Sequence, residues 1–144
     1  MPADRDLALD QLDALVGEWD TAATHPMIEG VVSGRSTFEW LTGRRFLIHR
    51  SEIQPGQVPS AIWIVGGDDT RGTWPMHYFD SRGVTRVYQM TFEGGLWKFW
   101  REHPGFSQRF TGSFEDGGRT IRGLSELNET GTWKPDLAIT YRRR

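Results

Sequence analysis

Five polar side chains stand out in the middle of the chain: the pairs Arg86 and Tyr88, and Arg101 and His103, each two residues apart, then Gln108. A spacing of two puts each of the first two pairs on one face of a strand. Two guanidinium forks and a phenol on one surface are a donor set for a carboxylate, a phosphate or an enolate. No acid falls on that face by alternation, so in a sheltered interior these charges need a partner from outside the chain or from water. The plain alternative leaves Arg86 in water at a rim while Arg101 bonds carbonyls and buried water. His49 and His103 add two imidazoles able to move a proton, although a lone histidine beside polar groups is more often a hydrogen-bonded wall residue. His25, beside Pro26, reads as exposed. No His-x-His or His-Glu-x-x-His spacing signals a metal, and no cofactor is expected. Glu39, Glu102 and Glu126 form no inward pair for glycoside chemistry. Gly-x-Ser-x-Gly, P-loop and dinucleotide fingerprints are absent.

The elements that position these residues follow from the turns. Gly94-Gly95 suits a two-residue hairpin turn needing positive φ. It sets Glu93 against Leu96, Phe92 against Trp97, Met90 against Phe99, Tyr88 against Arg101 and Arg86 against His103. Pro104-Gly105 then sets His103 against Phe106, Arg101 against Gln108 and Phe99 against Phe110. Gly117-Gly118 sets Phe114 against Ile121 and Phe110 against Ser125. Three turns read independently give one aromatic face, with Lys98, Glu102, Ser107, Arg109 and Thr111 on the other. A slip of one residue would reverse every side chain. A turn at Asp80-Ser81-Arg82-Gly83 brings Trp74, Met76 and Tyr78 inward and turns His77 and Phe79 out.

Earlier strands read as Asp20 to Thr24, Gly30 to Leu41, and Arg44 to Ile53 after a Thr42-Gly43 turn. That turn gathers Ser36, Phe38, Trp40, Leu47 and His49 on one face. Ala61 to Val65 is a continuous apolar run, buried on both sides or against another element. Asp136 to Arg143 is the last strand, with Leu137, Ile139 and Tyr141 on one face. A short helix over Asp4 to Val16, ended by Gly17, precedes the strands. About ten strands joined mostly by hairpins close most simply as an antiparallel up-and-down β-barrel, which removes the sheet edges.

The totals agree with this reading. A chain of 144 residues suggests a single domain, 1–144. Aromatics make up 12% and glycines number 17, which suits short strands and tight turns. A net charge of −2 gives no basic excess for nucleic acid. No apolar run is long enough for a membrane helix and no secretory core begins the chain. With no cysteine, the expectation is a soluble cytoplasmic protein.

Gly17-Glu18-Trp19, opening the first strand, resembles the Gly-x-Trp start of lipocalins and other calycins. There the tryptophan packs at the closed end, often beneath an arginine of the last strand, a part open here to Arg142 or Arg143. Tyr78-Phe79-Asp80-Ser81-Arg82-Gly83-Val84, Phe106 to Gly112, and the Trp133…Tyr141-Arg142-Arg143 ending resemble a bacterial family of lipocalin-like domains. That resemblance covers most of the chain and implies a fold, not an activity. Fatty-acid-binding proteins, also calycins, hold carboxylates with arginine and tyrosine, to which Arg86-Val87-Tyr88 is similar in kind. Nitrobindin, a haem-binding ten-stranded barrel, is a more distant likeness. Its iron is held by a late histidine, and no histidine follows His103, so the haem is not carried over.

Together these readings lead to a barrel that binds a small, largely apolar, anionic ligand. The expected site is Trp40, His49, Trp74, Arg86, Tyr88, Trp97, Phe99, Arg101, His103, Gln108 and Phe110, with Arg101 as main counter-charge. Two alternatives stand beside it. One is a calycin-like cyclase or isomerase using His49 or His103. The other is an interaction protein with a filled barrel, in which outward Trp100 and Phe79 would serve a homodimer.

Overall fold

The computed structural model describes residues 9–53, 58–67 and 73–144. Ten antiparallel strands close into a barrel: β1 (Gly17–His25), β2 (Ile28–Trp40), β3 (Phe46–Ile53), β4 (Ala61–Gly66), β5 (Trp74–Asp80), β6 (Thr85–Glu93), β7 (Leu96–Arg101), β8 (Ser107–Glu115), β9 (Thr120–Asn128) and β10 (Trp133–Arg143). Each strand pairs with its sequence neighbours, and β1 closes the ring against β10. Among the described residues no helix is long and apolar enough to cross a membrane.

The glycine turns set the register. Gly94 and Gly95 both sit at positive φ (59° and 77°), where a side chain would be strained. Phe92 therefore pairs with Trp97 and Met90 with Phe99. Phe99 pairs in turn with Phe110, and Arg101 with Gln108. Phe114 faces Ile121 and Phe110 faces Ser125. The Asp80 amide bonds the Val84 carbonyl at 3.0 Å and brings Tyr78 opposite Arg86. Trp74, Met76, Tyr88, Met90, Trp97 and Phe110 are buried, while Lys98 and Arg109 are exposed.

Four local expectations are corrected. The β6–β7 ladder ends at Gln89–Trp100, so Tyr88–Arg101 and Arg86–His103 are not ladder pairs. The Ser107 hydroxyl takes the backbone of His103 instead, accepting from its N–H at 3.0 Å and donating to its C=O at 3.1 Å. The β2–β3 turn is longer than Thr42-Gly43: the Leu41 amide bonds the Phe46 carbonyl, and Trp40 pairs with Leu47. The offset is two residues, so the inward face is unchanged. In β4 Trp63, Val65 and Gly66 are buried, while Ile62 is 42% exposed, so the strand has one wet face.

Among the described residues the N-terminal element runs from helical Leu9 and Asp10 into a 3₁₀ turn, Gln11–Leu15; the expected helix's residues before Leu9 lie outside the described ones. This turn drives Leu12 and Leu15 into one end of the barrel. Trp19 lies beneath it and donates from Nε1 to the Leu15 carbonyl at 2.8 Å. The Arg143 guanidinium sits 4.1 Å over the Trp19 ring and donates to the Val16 and Ala14 carbonyls. A cation stacked on an indole while capping two free carbonyls closes that end. Trp40, at the same end, donates to Asp13 at 2.7 Å and carries Arg44 on its ring.

Candidate functional site

Antiparallel order puts the other end of every strand at the opposite rim. There the barrel opens into a cavity of about 530 Å³. Phe99 lines it, stacked on the buried Phe110 ring with centroids 4.6 Å apart. Glycine lets Phe110 lie that flat: a Cβ on Gly123 would come 2.5 Å from its ring, and one on Gly112 3.0 Å. Beyond this pair the interior is filled by aromatics. The His49 ring lies between Phe38 and Trp63, each with centroids 4.3 Å away. Among the described residues neither His49 nitrogen has a hydrogen-bond partner, nor do the indole N–H groups of Trp74 and Trp97. Burial pushes His49 down to about 3, so it is neutral at ordinary pH.

The rim above Phe99 is polar and mostly self-satisfied. The Tyr78 hydroxyl donates to Asp80 at 2.8 Å, and Arg82 grips the same carboxylate at 2.7 Å. The Arg82 hydrogen bonds hold the Asp80 carboxyl well below its usual range, and burial holds the Tyr78 phenol above its own. Arg109 pairs with Glu126 at 2.9 Å and lies 4.0 Å over Trp133. The Tyr88 hydroxyl donates to Gln108 Oε1 at 3.1 Å. Burial raises the Tyr88 phenol, against an opposing hydrogen bond from Arg86, so it stays protonated. His25 meets Asp136 at 2.7 Å, and its Nδ1 accepts from the Met27 amide at 3.0 Å. Arg86 lies 5.3 Å over the Phe106 ring and forms no ion pair with any described acid.

Of the residues expected from sequence, Arg86, Tyr88, Phe99 and Gln108 line this cavity together. Arg101 is not among the lining residues; it reaches back to the Phe106 carbonyl at 3.5 Å. His103 is exposed in the β7–β8 turn, with its backbone held by Ser107. His49, Trp74, Trp97 and Phe110 are packed in the core, and Trp40 belongs to the closed end.

Two functional candidates escaped sequence reasoning. Asp136 and His25 both line the cavity, so the expectation of an interior face without acids is overturned. In β10, Pro135 faces Glu126 and Ala138 faces Leu124, which inserts one extra residue. This bulge lets Asp136 and Leu137 both face the cavity, where strict alternation would send Asp136 out. Pro135 inside the strand was the available signal, since a proline there marks an edge or a bulge. His25 is half-buried because Asp136 draws it in. Among the described residues no three His, Asp or Glu side chains converge to hold a metal ion.

No protein-family model matches the chain. No curated protein matches it in sequence. Solved structures do match in shape. Rv2717c from M. tuberculosis is 15% identical with a TM-score of 0.71, covering 95% of this chain and 97% of that one. EF1p2_mFAP2b, solved bound to DFHBI, is 10% identical with a TM-score of 0.48, covering 95% and 99%. At these identities the first likeness concerns the fold alone, and a likeness as loose as the second carries nothing further.

Proposed function

We propose that this barrel binds a small, largely apolar molecule bearing one acidic group, held in the open end with Arg86 as its counter-charge. The observation that carries this reading is the state of Arg86. It is a rim guanidinium beside an aromatic-walled cavity, with no described acid paired to it, whereas Arg82 and Arg109 are each matched. A cavity of about 530 Å³ is of the size that small ligands occupy. Apolar contact would come from Phe99, Ile28 and Leu137, and polar contact from Arg86 and the Gln108 amide. The counter-charge thereby moves from Arg101 to Arg86.

Binding is favoured over proton transfer by the positions of the histidines. His49 is enclosed by rings, His103 lies outside the cavity, and His25 has both ring nitrogens engaged. Calorimetric titration with naphthoate and decanoate tests the reading. Both acids should bind the parent protein, and Arg86→Met should weaken both by roughly 1.5–3 kcal/mol, the worth of a charged hydrogen bond. If neither acid binds, or Arg86→Met binds as well as the parent, the reading is wrong.

A further inference from the structure

We infer that the ligand is bifunctional: besides the acid taken by Arg86, it carries a neutral hydroxyl that donates to Asp136. This deepens the anion-binding reading and rests on it. The Met27 amide donates to His25 Nδ1, so Nδ1 is the acceptor nitrogen and the ring proton sits on Nε2. Nε2 therefore donates to Asp136 Oδ1 at 2.7 Å from a neutral imidazole. The Asp136 carboxyl group is thereby held in one orientation, as an outer partner orients a ligating group.

Only one Asp136 oxygen is used. Oδ2 accepts from no described residue, although the side chain lines the cavity. The β6 and β8 part of the lining has the reverse character. Tyr88 occupies the carbonyl oxygen of the Gln108 amide, which leaves its NH₂ to donate beside the Arg86 guanidinium. The cavity thus has donors on β6 and β8 and two carboxylates, Glu126 on β9, which pairs with Arg109, and Asp136 on β10, which is fixed by His25 and pairs with no described arginine, with apolar Phe99 and Leu137 also in its lining. A ligand with an acid at one end and a hydrogen-bond donor at the other satisfies both parts of the lining. A neutral donor fits better than a cation, because Arg86, which pairs with no described acid, also lines the cavity and would repel one.

The test compares matched acids on the intact protein by calorimetry: naphthoate, hydroxynaphthoate and methoxynaphthoate, and, so that rigid span does not decide the result, decanoate with ω-hydroxydecanoate. In at least one series the hydroxyl should tighten binding to the parent about tenfold. The methoxy compound, which has no donor, should show no such gain. In Asp136→Asn the hydroxyl advantage should vanish, while the plain acids keep their affinity within about twofold or gain from the lost negative charge. A gain in neither series, or one that persists in Asp136→Asn, overturns the inference. If the plain acids then still bind through Arg86, the anion-binding reading survives alone. If no acid binds, both fall together.

Discussion

Replacing His49 by phenylalanine should leave the barrel at least as stable at neutral pH and remove much of its sensitivity to acid. The ring is 4% exposed, packed between Phe38 and Trp63, and neither nitrogen has a partner among the described residues. A phenyl ring keeps the stacking and removes two unsatisfied polar atoms, each of which costs on the order of 1–3 kcal/mol. The acid response follows from the shift of His49 from 6.5 down to about 3. Above 6.5 both the folded and the unfolded protein hold it neutral, and it adds no pH dependence. Between 6.5 and about 3 the unfolded chain binds a proton that the folded chain refuses, so stability falls with falling pH by about 1.4 kcal/mol per unit. Two units below 6.5, His49 alone should therefore cost the parent about 2–3 kcal/mol. Urea unfolding of parent and variant across this range isolates the effect as a difference, since the carboxylates respond alike in both. Equal pH dependence in the two proteins, or a loss of several kcal/mol in His49→Phe at neutral pH, would refute the picture of a dry, unpartnered imidazole.

Other consequences are as direct. Trp19→Ala should cost about 3–5 kcal/mol in urea unfolding, because it empties the closed end and strips Arg143 of its ring. Gly123→Ala should destabilise by about 1–3 kcal/mol, since its Cβ would sit 2.5 Å from Phe110; an unchanged midpoint would mean that Phe110 does not lie on that glycine. Arg101→Met should bind naphthoate within about twofold of the parent while Arg86→Met does not, and the reverse order would restore Arg101 as the counter-charge.

The barrel was legible in the sequence because its hairpin turns are marked by glycines and its walls alternate aromatic with polar residues. Each turn fixes a register, and each register fixes which side of the wall a residue takes. Alternation says nothing about depth along the barrel axis. His49 and Trp97 were rightly turned inward, yet they are packed in the core, while Tyr88 and Gln108 on the same face reach the cavity. The rim was harder to read, because ladders fray there and local hydrogen bonds take over. Ser107 bonds the His103 backbone where the expected β6–β7 pairing has already ended, and Arg101 is not among the residues that line the cavity with Arg86. Asp136 was invisible because a single bulged residue reverses its side, and only Pro135 hinted at the bulge.

The central claim is that the open end, and not the closed one, receives an acidic ligand beside Arg86. Amide chemical shifts of the isotope-labelled protein, followed while naphthoate is added, test it residue by residue. The account predicts shifts that saturate at Arg86, Tyr88, Phe99, Gln108 and Leu127, with Leu12, Leu15, Trp19 and Tyr141 unmoved, and loss of that response in Arg86→Met. Saturating shifts confined to the closed end, or an open-end response unchanged in Arg86→Met, would contradict it.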